Sequence, residues 1–218
     1  MFNKRMLLLI SFLFCLVLTG CSINIQDLAK QSVSEMVEVY FSGTGDFSVN
    51  ISSGQREEPY EYNGKTGELK DFSVVTMLVS ENQKCIQAEI SVNDKNATMI
   101  LEQDLLTSSY VVDLGYKVSE DDKISIKYKG SVVDLECRSK NFNIKSSEAL
   151  EIGTEAFSDE LENLVSKKKL SAECYLRIID NPNDKFNRLF WYFYIYAENG
   201  TSHYCVINIE DGNILTKS

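Results

Sequence analysis

A period-two alternation of apolar and polar residues runs through residues 39–139 and constrains the fold of this segment most strongly. Phe47, Val49 and Ile51, for example, are separated by single polar residues. The same spacing recurs in 72–79, 86–92, 97–102, 110–118, 124–129 and 132–138. Because successive side chains of a strand point to opposite faces of a sheet, the pattern predicts several short, half-buried strands that form an antiparallel β-sandwich or barrel.

In the last third of the chain the periodicity changes from two to about 3.6 residues. Apolar residues from Ala149 to Val165 follow the i, i+3, i+4 spacing of one helix face. Ser146 or Ser147 can cap the start of this helix, which places Lys167–Lys169 in its last turn, where cations suit the helix dipole. The sequence therefore predicts one amphipathic helix of about 20 residues.

Three strands are predicted after this helix, at Cys174–Asp180, Leu189–Ala197 and His203–Glu210. Asn199-Gly200, between the last two, is a strong hairpin signal. Pairing these strands so that Trp191 faces Ile209 places the large apolar side chains on one face, which we expect the helix to cover. The opposite face then carries four tyrosines, namely Tyr192, Tyr194, Tyr196 and Tyr204.

This order of one helix and three strands, which ends in YCVINIEDGNIL, resembles the PepSY type of domain. The resemblance covers roughly residues 146–215 and does not explain the β segment before them. It implies a non-catalytic module of the kind found beside peptidases and in cell-envelope proteins. The predicted class is therefore α+β, with an antiparallel β-sandwich-like or barrel-like domain followed by a PepSY-like helix plus three-stranded antiparallel sheet.

The N-terminus carries a basic start, Lys4-Arg5, and then 13 mostly apolar residues, 6–18. This apolar run is shorter than the roughly 20 residues that a membrane-spanning helix needs, and it is typical of a secretory signal peptide. The run ends in Leu18-Thr19-Gly20-Cys21, which resembles the lipobox of bacterial lipoproteins. The resemblance implies cleavage before Cys21 and acylation of its thiol.

Four segments follow from these patterns. Residues 1–20 are predicted to be the signal peptide and 21–38 a lipidated tether or short amphipathic helix. Residues 39–139 are predicted to form an all-β domain and 140–218 the PepSY-like domain. The expected location is extracytoplasmic, on a cell membrane to which the acylated Cys21 anchors the chain.

The charge balance excludes one class of partner. The sequence has 22 basic and 32 acidic residues, a net charge of −10. Loss of Lys4 and Arg5 with the signal peptide leaves 20 basic residues, so the mature net charge is 20 − 32 = −12. Because such a chain repels phosphate backbones, we expect no nucleic-acid partner.

Catalytic motifs are matched poorly. His203 is the single histidine and begins a predicted strand, so a Ser-His-Asp arrangement has no obvious base. Ser166 to Lys169 matches S-x-x-K and Lys65-Thr66-Gly67 matches K-T-G, but their order is the reverse of that in penicillin-interacting enzymes. One enzyme alternative stays open: an envelope hydrolase that uses a carboxylate pair in the β domain, such as Glu57 with Glu58 or Asp121 with Asp122.

Metal and cofactor motifs are also weak. Asp180-Asn-Pro-Asn-Asp184 lacks the glycine of an EF-type calcium loop, and Glu120-Asp121-Asp122 is typical of a solvated turn. The glycines are scattered and form no phosphate-binding loop. We therefore predict neither a metal site nor a cofactor.

Four cysteines remain in the mature chain besides Cys21, namely Cys85, Cys137, Cys174 and Cys205. An even number outside the cytoplasm is compatible with disulfides in three connectivities. If Ile178 faces Trp191, however, Cys174 and Cys205 lie two strand spacings apart, about 9.6 Å. Since a disulfide tolerates about 7 Å between Cα atoms, we expect these two thiols to be free and buried.

The tyrosine-bearing face leaves two readings open. Tyr192, Tyr194, Tyr196 and Tyr204 either pack on the β domain or form a surface for a partner, because tyrosine offers a large contact area and a polar tip. The sequence thus predicts a non-catalytic binding or regulatory module for a cell-envelope protein, of which a peptidase is one example.

Overall fold

The computed structural model describes residues 24–59, 61, 67–180 and 188–218. The predicted signal peptide, residues 1–20, and Cys21, the predicted site of acylation, lie outside the described residues. Among the residues described, no helix is long and apolar enough to cross a membrane.

The described residues form fourteen β-strands and three α-helices. The strands are β1 Val33–Thr44, β2 Ser48–Glu58, β3 Glu68–Leu78, β4 Cys85–Val92, β5 Lys95–Gln103, β6 Tyr110–Asp113, β7 Ile124–Tyr128, β8 Ser131–Cys137, β9 Val165–Ser166, β10 Lys169–Leu170, β11 Ala172–Asp180, β12 Leu189–Ala197, β13 Ser202–Asn208 and β14 Ile214–Lys217. The helices are α1 Ile25–Gln31, α2 Ser146–Ala156 and α3 Ser158–Asn163, with a 3₁₀ turn at Ser139–Asn141.

The first eight strands close into an antiparallel barrel. Their order is β1-β2-β3-β6-β5-β4-β7-β8, and β8 returns to pair with β1 at Phe41 and Ser42. The period-two alternation explains the interior, since residues such as Val49, Ile51 and Ile126 point inward and are fully buried. The antiparallel strands predicted for this part of the chain are confirmed.

The last four strands of the large sheet extend the barrel wall. Their order is β14-β13-β12-β11, and β11 pairs in parallel with the start of β1, where Val33 lies beside Cys174 and Met36 beside Leu176. One continuous twelve-stranded sheet therefore joins β1 to the C-terminal strands β11–β14. β1 is long enough to serve both parts, and its side chains contribute to both hydrophobic cores.

The predicted α+β class, with a PepSY-like unit of one helix and three strands, is wrong. Of the described residues, 55% are in strands and 15% in helices, and the closed barrel is extended by four further strands of the same sheet. The physical reason is the β1–β11 pairing, which joins residues about 140 positions apart and leaves no local signature in the sequence. Within the segment predicted to be a tether or short amphipathic helix, residues 21–38, Ile25–Gln31 form a helix and the residues from Val33 onward belong to β1.

The predicted single helix is instead two helices that meet at Phe157. Phe157 has φ −119° and ψ 28°, which ends α2 and starts α3 in a new direction. The break buries the Phe157 ring, whose centroid is 6.4 Å from that of Phe193. Lys145 rather than a serine is the N-cap of α2, without a side-chain cap. Lys167–Lys169 belong to the β9–β10 hairpin and not to a helix.

Helices α1 and α2 cover the apolar face of β11–β13, as predicted for the helix and this face. The Trp191 indole Nε1 donates to the Ile144 carbonyl at 2.8 Å, so the one polar atom of this buried ring is satisfied. Gly153 of α2 lies against Phe193 of β12, and this close approach lets the helix rest directly on the sheet.

Candidate functional site

The four predicted tyrosines lie together on the face of the sheet opposite the helices. We call Tyr192, Tyr194, Tyr196 and Tyr204 the tyrosine surface; all four are half-buried. Alternation along β12 places them opposite to Trp191, since neighbouring residues of a strand point to opposite faces.

The register of β12 and β13 brings these rings into contact. Tyr194 pairs with Tyr204, whereas the predicted register paired Tyr196 with Tyr204. The predicted pairing is wrong by two residues, because the loop between the strands holds Glu198–Thr201 instead of three residues. A shift of two preserves the faces, so the same side chains meet. Ring centroids are 6.1 Å apart for Tyr192–Tyr194 and 5.6 Å for Tyr192–Tyr204.

Tyr175 of β11 is part of the same aromatic layer and was missed from the sequence. It pairs with Tyr194, with ring centroids 6.0 Å apart, and it is buried. Its hydroxyl donates to the carboxylate of Glu173, which is fully buried. The predicted facing of Ile178 and Trp191 is confirmed. Extending that register by three residues would have placed Tyr175 against Tyr194.

An ion pair fixes the edge of this layer to the barrel. The Arg177 guanidinium donates from Nε to Glu35 Oε1 at 2.6 Å and from Nη2 to Oε2 at 3.1 Å. Glu35 belongs to β1 and is 8% exposed, so the carboxylate of this bidentate contact is shielded from water, whereas the Arg177 side chain is partly solvated. The guanidinium carbon is also 5.8 Å from the centre of the Tyr175 ring. The tyrosine surface therefore rests on a rigid support.

The surroundings of Tyr192 favour the neutral form of its hydroxyl group. Burial raises the pKa of Tyr192, and the neighbouring Tyr194 and Tyr204 raise it further. The Tyr192 hydroxyl therefore stays protonated at neutral pH and can both donate and accept hydrogen bonds. An amphipathic aromatic layer of this kind can bind a partner with apolar groups and hydrogen-bonding atoms.

His203 lies on the other face of the sheet. It pairs with Ile195, and its ring centroid is 5.6 Å from that of Phe157. The tyrosine surface and His203 are therefore separated by the sheet itself.

The carboxylate pairs considered for a hydrolase do not converge. Glu57 is 2% exposed and accepts the backbone N–H of Gly67 at 2.8 Å, whereas Glu58 is exposed and pairs with Lys70. Adjacent residues of β2 point to opposite faces, which explains the separation.

Asp121 and Asp122 lie at an open cavity of about 630 Å³ near one end of the barrel. Lys140 lowers the pKa of Asp121 by a side-chain hydrogen bond and its charge. Asp122 accepts the N–H of Ser119 at 2.7 Å, which is a turn contact. Within the described ranges no group of three or more His, Cys, Asp or Glu residues is arranged to hold a metal ion.

Other predicted positions are only partly covered by the structure. Lys65-Thr66 and the loop after Asp180, residues 181–184, lie outside the described residues. The described cysteines are free, and Cys174 and Cys205 are buried as predicted. Cys85 is exposed and Cys137 is partly buried.

Comparison with known proteins found no matching family model, no match among curated proteins and no match among solved structures.

Proposed function

We infer that the protein is a membrane-anchored extracytoplasmic lipoprotein whose folded part binds, and thereby regulates, another protein of the cell envelope. The observation that carries the binding role is the tyrosine surface. Its four rings share one face, remain half-buried in the folded chain and rest on Tyr175 and the Glu35–Arg177 ion pair. Rigid tyrosines lose little side-chain entropy on binding, so a preorganised layer suits recognition.

The lipid anchor is supported by the lipobox and by the position of the first helix. Only residues 22–24 separate Cys21 from α1, which starts at Ile25. α1 is docked on the domain: Ala29 is fully buried, and Lys30 Nζ lies 2.9 Å from Glu151 Oε1 of α2. An acylated Cys21 would thus hold the folded part close to the bilayer, where membrane proteins are accessible to it.

A photo-crosslinking experiment tests the binding role. The residue Tyr192 is replaced by p-benzoylphenylalanine in the full chain, and membranes are irradiated. We expect one dominant protein adduct, since a specific surface faces one partner. The same replacement at Tyr116, which is 45% exposed on a barrel loop, is the matched control and should give no such adduct.

The double variant Tyr194→Ser/Tyr196→Ser separates binding from internal packing. If the tyrosine surface binds the partner, this variant in the Tyr192-crosslinker chain loses the adduct while its thermal unfolding midpoint changes little. A lowered midpoint with an undiminished adduct would show that these rings stabilise the fold and do not recognise the partner.

A further inference from the structure

We propose that the turn of the β9–β10 hairpin contacts the anionic phospholipid headgroups of the membrane that holds the anchor; this rests on the proposed lipidation of Cys21. We call Lys167 and Lys168 of this turn, together with Lys169 at the start of β10, the lysine turn. It is the only run of three consecutive basic residues in a sequence whose net charge is −10.

The backbone of the lysine turn is one that lysine does not favour. Lys167 and Lys168 have φ of 51° and 64°, in the left-handed region. A two-residue hairpin turn of this type strongly prefers Asn-Gly, because a Cβ is disfavoured at positive φ. Stability of the turn therefore does not explain why lysines occupy it, and a role for their charge does.

No ion pair within the described residues neutralises the three ammonium groups. All three lysines are exposed, and none forms an ion pair with another described residue. Two carboxylates of the adjacent helices have other partners, since Glu151 pairs with Lys30 and Glu160 with Lys217. Glu198 is the acidic residue that shares a cavity with the turn.

The lysine turn lies on the anchor side of the molecule. One cavity of about 570 Å³ is lined both by the hairpin and by residues at the C-terminal end of α1, namely Leu28, Gln31 and Ser32. The hairpin therefore lies beside this end of α1. Covalent geometry limits the span from Cys21 to Asn24 to about 11 Å, and the helix α1 is about 10 Å long. The end of α1 that shares this cavity with the lysine turn is therefore within about 21 Å of Cys21.

The opposite end of the barrel supplies an internal reference. β1 starts beside α1 and runs for twelve residues, about 40 Å, before it ends at Thr44. Lys84 and the Lys129-Gly130 turn lie at that far end, where Lys129 pairs with Glu81 and the carbonyl of Lys84 accepts the Gln103 N–H. Lys84 is exposed like the lysine turn.

Lysine labelling on vesicles tests the proposal. The full lipidated chain is reconstituted into phosphatidylcholine vesicles or into vesicles that also contain phosphatidylglycerol, and acetylation of each lysine is followed by mass spectrometry. The attraction of one lysine to an anionic membrane surface raises the equilibrium constant for its contact with that surface about fivefold. We therefore expect acetylation of Lys167–Lys169 to be about fivefold slower on the anionic vesicles, and acetylation of Lys84 to be unchanged.

Two turn variants sharpen this experiment. Lys167→Asn/Lys168→Gly installs the sequence that the turn prefers, so it removes two charges without harming the fold. In this variant the acetylation rate of Lys169 should be the same on both vesicle types. The matched control Lys129→Asn creates the same Asn-Gly turn, with Gly130, at the far end and should leave the protection of Lys167–Lys169 intact.

Equal labelling of the lysine turn on both vesicle types would overturn the proposal, as would equal slowing at Lys84. Inorganic phosphate is added to neutral vesicles in a further arm, and protection as strong as that by phosphatidylglycerol would also overturn it in favour of a soluble ligand. The N-terminal peptide in the same spectra shows whether Cys21 carries lipid. A missing anchor is thereby distinguished from a turn that does not bind.

Discussion

The substitution Gly153→Ala tests how closely α2 rests on the sheet. A Cβ at position 153 would lie 2.4, 2.5 and 2.8 Å from Cγ, Cδ1 and Cβ of Phe193. Carbon atoms in contact are normally 3.5–4.0 Å apart, and Phe193 is fully buried, so neighbouring groups must move. Overpacking of a core costs about 1–3 kcal/mol, whereas Gly→Ala in a helix contributes about 1 kcal/mol of favourable propensity.

The clash should prevail, so we expect the free energy of unfolding to fall by about 1 kcal/mol. Urea denaturation followed by tryptophan fluorescence reports this directly, because Trp191 lies in the same core. In a Phe193→Ala background, which lacks the clashing Cγ and Cδ1 atoms, the same Gly153→Ala substitution should cost less. A Gly153→Ala protein that is more stable than the wild type would refute the close packing of α2 on β12.

Two further predictions concern the Glu35–Arg177 ion pair and the two buried thiols. Arg177→Ala should lower the free energy of unfolding, measured by denaturant titration, by about 2 kcal/mol. This loss is smaller than for a fully buried pair because the arginine is partly solvated. A loss of less than about 0.5 kcal/mol would contradict a structural role of the pair with Glu35. Burial raises the pKa of Cys174 and Cys205 from 9.0 to about 12. Folding thus favours the protonated thiols, and this stability is complete below pH 9 and lost as the pH rises towards 12. We therefore expect the denaturation midpoint to fall less between neutral pH and pH values above 9 in a Cys174→Ala/Cys205→Ala variant than in the wild type. An equally steep fall in both proteins would contradict the assignment of this pH dependence to the two thiols.

Local periodicity predicted the faces of strands but not their long-range partners. The alternation in β12 correctly separated Trp191 from the tyrosine surface, and the register of Ile178 with Trp191 was correct. Both are local properties, because one buried face fixes the parity of a strand. The parallel pairing of Val33 with Cys174 depends on tertiary packing and could not be predicted from either segment alone.

The lysine turn shows a second limit of sequence reasoning. Lys167–Lys169 fit the last turn of a helix by charge, and no glycine or asparagine marks the hairpin that they form. The helix break at Phe157 also has no local sequence signal, since Phe157 fits the spacing of a continuous helix. Support for the tyrosine surface was missed in part because Glu35 and Arg177 meet only through the β1–β11 pairing.

The proposed anchor is the basis of both functional proposals, and the mass of the mature N-terminus tests it most directly. The chain is expressed in a bacterial host that processes lipoproteins, extracted from membranes and digested. We predict an N-terminal peptide that starts at Cys21 and carries the added mass of acyl chains, and a Cys21→Ser variant that lacks both the cleavage and the added mass. A wild-type chain whose N-terminal peptide starts elsewhere, or starts at an unmodified Cys21, would contradict the account.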